Sequence, residues 1–252
     1  MYTALLLARA LTTKVSYVPG ASVVLDPIRR WGTRCEGTIV VNDFDGDLKF
    51  ELSLTGDDDS RIFWYGALAQ PVLALLHRIV RQGHTVVDVG AGAGEIALFT
   101  AKRVGESGRV VALEPREAEA DRLARNLALN SFDQVDVLRM APRDVVSEGE
   151  DDPVTTLDAL LDEGWFTQLD VLKLGKDHVR TDVLQGASAV LEAFSPWIVL
   201  EGGGTDADGV SRVLSEAGYR FYRVDQEKQL VQFHGRSPYP WAVACPEGKS
   251  PG

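Results

Sequence analysis

The chain has 252 residues, 45% apolar and 25% charged, which suits a soluble globule with one large domain and room for a small appendage. Lys and Arg number 26 against 37 Asp and Glu, a net charge of −11. That balance argues against a general nucleic-acid binder and against docking on anionic lipid, because both select basic faces.

The opening segment, MYTALLLARALTTK, carries the apolar stretch from Ala4 to Ala8. It lacks a basic start and Arg9 interrupts it, so it reads as a short amphipathic helix suited to a partner subunit, as in a homodimer, or to cover a site. No run approaches the roughly 20 apolar residues that span a bilayer, and no membrane association is expected. Cys35 and Cys245 form no disulfide framework and match no metal spacing, which points to a reducing, cytoplasmic compartment.

Residues 38–41 and the alternating DLKFELSL at 47–54 read as antiparallel strands joined at Asp45-Gly46. TGDDDS at 55–60 reads as a solvated loop, followed by Phe63, Trp64 and Tyr65. Beyond residue 66 helices alternate with buried strands. The helix after Pro71 has an apolar stripe of Val72, Leu75, Leu76, Ile79 and Val80, closed by Gly83. Strands follow at 85–89, 109–113, 135–140, 169–174 and 197–200, separated by helices at 96–104, 116–130, 156–162, 182–193 and 208–217. Three late segments, 219–224, 229–233 and 241–245, are too close together for crossovers and suggest an antiparallel edge. The expectation is an α/β fold, a mostly parallel seven-stranded sheet covered on both faces over 66–252, with a β/α appendage over 1–65.

The strongest motif is TVVDVGAGAGEIALFTAKRV at 85–104, a strand running through Gly90, Gly92 and Gly94 into a helix. Such glycines permit a tight turn and close backbone approach to a nucleotide. Gly92-x-Gly94-x-x-Ala97 satisfies the relaxed dinucleotide pattern, so NAD survives on pattern alone. Charge opposes it. Asp88 and Glu95 flank the loop where a pyrophosphate would sit, whereas S-adenosylmethionine brings a sulfonium and an ammonium. Glu114, ending the next strand 24 residues after Gly90, is placed for ribose hydroxyls.

These segments, with Val111 to Pro115 and Asn126 to Asn130, resemble class I S-adenosylmethionine-dependent methyltransferases, which have a Rossmann-like fold. Within that class the chain resembles the FkbM-type family, through Met140-Ala141, Thr156 to Leu160, Leu169 to Leu174, Val183 to Ala187 and Ile198 to Glu201. The resemblance covers roughly residues 80–202 and implies methyl transfer, often to a hydroxyl of a natural product or sugar. It implies that Asp88, Val89, Gly90, Ala91, Gly92 and Glu95 hold the methionine part. Glu114 and Pro115 would hold the ribose, and Met140 and Ala141 the adenine.

The family pattern after the fourth strand is K-[IL]-D-x-E-G-x-E. Here the segment is Lys173-Leu174-Gly175-Lys176-Asp177-His178-Val179-Arg180. Gly175 replaces the first acid, His178 the glycine and Arg180 the last acid, at the edge where an acceptor would lie. Lys173, Asp177 and His178 are the candidate catalytic residues, and Tyr65, Glu201 and Gly202 the candidate acceptor contacts. Gly175 removes a ligand where a metal would want one, so no metal is expected. The leading reading is a methyltransferase for a small-molecule acceptor. Its rivals are an RNA methyltransferase, a cofactor-binding protein with a degenerate catalytic site, and an NAD-dependent oxidoreductase.

Overall fold

The computed structural model describes residues 2–15, 27, 36–68, 70–143, 154–175, 178–201, 206–225, 229–233 and 241–249. Two compact units emerge: Met1–Gln70 with Ala128–Asn130, and Pro71–Leu127 with Ser131–Gly252.

The smaller unit contains helix α1 (Tyr2–Val15), strands β1 (Thr38–Phe44) and β2 (Leu48–Ser53), and helix α2 (Asp57–Tyr65). The hairpin turns at Asp45 and Gly46, which both take positive φ, 46° and 95°. Its register pairs Ile39 with Leu52 and Val41 with Phe50, so one face is apolar and buried. The stretch expected as a solvated loop instead opens α2. Asp57, Asp58 and Asp59 occupy the first turn, where carboxylates complement the positive end of the helix. Asp59 is also buried and accepts a hydrogen bond from the Ser53 amide at 2.6 Å.

Helix α1 buries Leu5, Arg9 and Thr12 within this unit. Arg9 is 2% exposed. Its Nη2 meets Asp43 Oδ1 at 2.8 Å, and its Nη1 donates to the carbonyls of Ile62 and Phe63. The guanidinium also lies over the Phe63 ring. A charge breaking an apolar run is therefore an internal tie, binding α1 to the last turn of α2.

The larger unit begins with α3 (Gln70–Ile79), β3 (Thr85–Val89), α4 (Glu95–Val104), β4 (Arg109–Leu113), α5 (Glu117–Asn130) and β5 (Val135–Leu138). A short parallel pair, β6 (Ala141–Pro142) and β7 (Val154–Thr155), precedes α6 (Leu157–Asp162) and β8 (Val171–Leu174). Then come α7 (Thr181–Gln185), α8 (Ser188–Phe194), β9 (Trp197–Glu201), α9 (Ala207–Glu216), β10 (Tyr219–Val224), β11 (Leu230–Phe233) and β12 (Trp241–Pro246). The main sheet has eight strands in the order β11-β10-β12-β9-β8-β3-β4-β5, one more than expected, because β11 folds back on β10 as a hairpin. β12 runs antiparallel to both neighbours, and β5, β4, β3, β8 and β9 are parallel. The five parallel strands are rich in Val and Leu, as burial on both faces requires.

Their register brings the strand tips to one level. Val89 pairs with Leu113 and with Leu174, and Leu174 pairs with Leu200. The next residues, Gly90, Glu114, Gly175 and Glu201, therefore crowd one edge of the sheet. No helix among the described residues is long and apolar enough to cross a membrane.

The single helix expected over 182–193 is two helices broken at Gly186-Ala187. The cause lies in another element. The Asp158 carboxylate, in the first turn of α6, accepts from Ser188 Oγ, Ala189 N and Val190 N at 3.2, 3.1 and 2.9 Å, capping α8 from outside. The Gly186 carbonyl accepts the Asp158 amide in return. Asp158→Ala is expected to lower the unfolding free energy by about 1–2 kcal/mol, as for a lost cap, measured as a fall in the urea midpoint. An unchanged midpoint would show that Gly186 alone imposes the break.

Candidate functional site

The site grows from one pair in the sheet register. Asp88 on β3 lies directly beside Lys173 on β8. Both are buried, at 0% and 4% exposure. Lys173 Nζ stands 2.9 Å from Asp88 Oδ1. The contact is one of charge and not an aligned hydrogen bond, and no described group hydrogen-bonds to either Asp88 oxygen. Lys173 directs its hydrogen bonds upward instead, to the carbonyls of Gly90 at 2.8 Å and Val89 at 3.3 Å. It thus clamps the start of the glycine loop to the sheet. Lys173, expected among the catalytic residues, is placed by these contacts between Asp88 and the start of the loop.

The loop's amides are also turned inward. Gly90 N and Ala91 N both donate to the Leu113 carbonyl, at 2.8 and 3.1 Å. Gly92 N donates to Glu114 Oε2 at 2.8 Å, and Gly94 N to the Ala91 carbonyl. Asn126, fully buried on α5, donates to the Ala93 carbonyl at 2.9 Å. A phosphate cradle needs amide donors aimed outward. This loop directs four of its amides to itself and to the tip of β4. It presents a backbone surface suited to a ligand without phosphate there.

Two loop glycines are required by position. Gly92 has φ +54° and open space where a side chain would project. Gly90 has φ +69°, and a Cβ there would fall 2.7 Å from His178 Cδ2. His178 therefore packs its ring edge directly on the first glycine of the loop, held by its amide bonding to the Gly175 carbonyl at 2.8 Å.

Glu114 is 2% exposed at the tip of β4. Burial pushes its carboxyl up, but hydrogen bonds from the Arg116 side chain and the Gly92 amide, with the Arg116 charge, outweigh burial and hold it below the usual glutamate value. The sign follows. Glu114 contributes stability above the glutamate range, and that contribution is lost as pH falls through its lowered folded-state value.

Gly175 has a clear physical reason. Its amide donates to the Val89 carbonyl at 2.8 Å. A Cβ there would lie 3.0 Å from that oxygen, 3.2 Å from the Gly90 carbonyl and 3.4 Å from Lys173 Nζ. Arg180, where the family pattern has an acid, pairs through Nε and Nη2 with Asp182 in the first turn of α7, at 2.9 and 2.8 Å. Although burial pushes the Asp182 carboxyl up, Arg180 pulls it below its usual value.

The remaining expected residues fall as follows. Glu95 opens α4 and is half-buried; Val89 and Ala91 are buried beside the loop, and Pro115 is half-buried after Glu114. Met140 packs on the core and Ala141 is buried in β6, just beyond β5. Glu201 ends β9, opposite Trp241. Asp177 and Gly202 lie outside the described residues. Tyr65 belongs to the smaller unit and is 40% exposed, whereas Phe63 and Trp64 are buried in it. Sequence reasoning assigned no role to Asn126 or Arg116. The first stood in plain sight in NLALN, but its partner lies 33 residues away.

Lys173→Met removes the cation and leaves Asp88 buried as a bare carboxylate. A loss of about 3–5 kcal/mol in unfolding free energy is expected. The double variant Asp88→Leu/Lys173→Met should recover much of it, because no charge then remains buried. Equal losses in urea unfolding of the single and double variants would remove the pair from this role.

Residues 88–221 match the family model of the methyltransferase FkbM domain, just over half of the 252-residue chain. Among curated proteins, the chain is 25% identical over 122 residues to the tRNA (adenine(57)-N(1)/adenine(58)-N(1))-methyltransferase TrmI of Methanocaldococcus jannaschii. That match covers 48% of this chain and 40% of the relative, so the chain spans less than half of the relative's length. Among solved structures it is similar to an FkbM methyltransferase of Methylobacillus flagellatus KT, with 13% identity, a TM-score of 0.49, and coverage of 88% of this chain and 59% of the other. It is similar also to a SAM-dependent methyltransferase of Aquifex aeolicus, with 20% identity, a TM-score of 0.48, and coverage of 75% and 93%. The family match begins at Asp88 itself and runs through the loop, Glu114 and the β8 edge, and by it the chain belongs to the FkbM methyltransferase family.

Proposed function

We propose that this methyltransferase binds S-adenosylmethionine over the glycine loop and methylates a hydroxyl of a small molecule. One observation carries the cofactor reading. The glycine loop opens at Gly92 and turns the amides of Gly90, Ala91, Gly92 and Gly94 inward, away from where a phosphate would sit. A phosphate-free ligand part suits that arrangement. Asp88 and the loop from Val89 to Gly92, with Glu95, would hold the methionine part. Glu114 and Pro115 would meet the ribose, and Met140 and Ala141 the adenine. When bound, the cofactor supplies a methyl group activated on a sulfonium.

The chain's own work is positional. Lys173 fixes Val89 and Gly90 from below, Asn126 fixes Ala93, and Glu114 fixes Gly92. Glu114 has further acceptor capacity, since a carboxylate offers about four lone-pair sites. The small-molecule acceptor is supported by the net charge of −11, and the hydroxyl by the family resemblance. Methylation of RNA is the second reading, favoured by the partial similarity to a tRNA methyltransferase.

Calorimetry with S-adenosylmethionine, S-adenosylhomocysteine and NAD tests the cofactor. Both sulfur compounds should bind. Binding of NAD alone would overturn the reading. Glu114→Ala should weaken S-adenosylmethionine by about 1–3 kcal/mol. Gly92→Ala should cost about 1–2 kcal/mol of stability from its left-handed backbone, yet abolish binding by filling the open face. A tight gel shift with tRNA would favour the second reading.

A further inference from the structure

The Glu114 carboxylate, buried at the tip of β4, receives three hydrogen bonds. Oε2 accepts from the Gly92 amide at 2.8 Å. Oε1 accepts from the Arg116 amide at 3.1 Å and from Arg116 Nε at 2.9 Å. A carboxylate offers about four lone-pair sites, two on each oxygen. The described donors fill both sites on Oε1 and one on Oε2. These donors differ in how firmly they are held. The Gly92 amide belongs to a loop whose other amides are tied to the Leu113 and Ala91 carbonyls. The Arg116 amide is fixed by its backbone, since the Arg116 carbonyl accepts from Glu119 N and Ala120 N as α5 begins. Nε is carried on a side chain that is 68% exposed, against 2% for Glu114. It is the donor of the three that can leave without unmaking the loop or the helix.

We propose that Arg116 is a specificity-determining residue of this subsite: its Nε stands where one hydroxyl of a vicinal diol would donate, so a ribose displaces it to gain both hydrogen bonds. The proposal rests on the cofactor reading above, in which Glu114 meets the ribose. Two adjacent hydroxyls need an acceptor site each. One takes the remaining site on Oε2. The other needs the site on Oε1 that Nε fills. A sugar whose one hydroxyl faces Oε2 binds with Arg116 in place. Arg116 thus opposes a full ribose and leaves that deoxyribose untouched, which narrows the preference between the two. In the unliganded protein the same guanidinium keeps a buried carboxylate supplied with donors, which a bare Glu114 would lack. Once released, the guanidinium needs no new burial, because it already lies mostly in water.

Calorimetry of the full chain with S-adenosylhomocysteine and its 2′-deoxy and 3′-deoxy analogues tests this, with weak binders measured by competition. S-adenosylhomocysteine carries no sulfonium, so removing a nearby cation relieves no sulfonium repulsion. Arg116→Met keeps an unbranched stem and removes the donor. It should tighten S-adenosylhomocysteine by about threefold, the scale of an ion pair with an exposed partner. The gain should persist with the analogue that keeps the hydroxyl facing Oε1 and vanish with the other. Arg116→Ala should show the same split between the analogues. In a Glu114→Ala background, Arg116→Met should change nothing, because no acceptor site is left to contest. Unchanged or weaker S-adenosylhomocysteine binding in Arg116→Met, equal gains with all three ligands, or a gain that survives in Glu114→Ala would each overturn the proposal alone. Failure of the unaltered chain to bind S-adenosylhomocysteine would overturn it together with the cofactor reading.

Discussion

The buried pair of Asp88 and Lys173 is the contact on which the rest of the site depends. Two charges removed from water are costly, and their mutual attraction offsets that cost only where geometry and further hydrogen bonds are favourable. Here the lysine has a second task. Its hydrogen bonds go to the carbonyls of Val89 and Gly90, the point at which β3 stops being a strand and becomes the glycine loop. The charge pair therefore sets the loop's position relative to the sheet. Everything above it inherits that position: the Gly92 amide on Glu114, the Ala93 carbonyl on Asn126, and the His178 ring on Gly90.

The smaller unit uses the same physical device. Arg9 is buried among backbone carbonyls and one carboxylate, as Lys173 is. In both cases a long cationic side chain donates to two successive carbonyls, one pair at a helix end and one at a strand end. The guanidinium, with its planar fork, spans two successive carbonyls of a helix terminus and a side-chain acid at once. The ammonium, more compact, fits beneath a loop one strand away. Residue choice follows the geometry of the acceptors.

The departures from the family pattern form a connected set. Gly175 allows its amide to reach the Val89 carbonyl, in a space where even a Cβ would press on two carbonyls and Lys173. With no side chain there, His178 comes back over Gly90. Arg180 secures the following helix through Asp182, a pairing that an acid at the same position would turn into repulsion. The loss of an acid at one position and the gain of a ring three residues later are two parts of one packing arrangement.

Much of this was legible in order along the chain. Glycine spacing, the acid ending the second parallel strand, and the alternation of apolar runs with amphipathic helices are local patterns; they identified the α/β fold and marked the glycine loop and Glu114 as candidates for a cofactor site. What they could not supply were partners. The acidic start of α2 looked like solvated loop because its dipole and its Asp59 contact exist only once the helix is formed. The break at Gly186 follows from Asp158, about 30 residues upstream. Lys173 read as a catalytic candidate because its register opposite Asp88, 85 positions away, is invisible in either segment. By itself the sequence determined which segments are strands, which loop is glycine-built and where the acids lie, because those properties depend on neighbours along the chain. Only the tertiary structure decided which buried cation meets which carbonyl and which ring covers which glycine, because strand register and burial bring together groups that no local pattern relates.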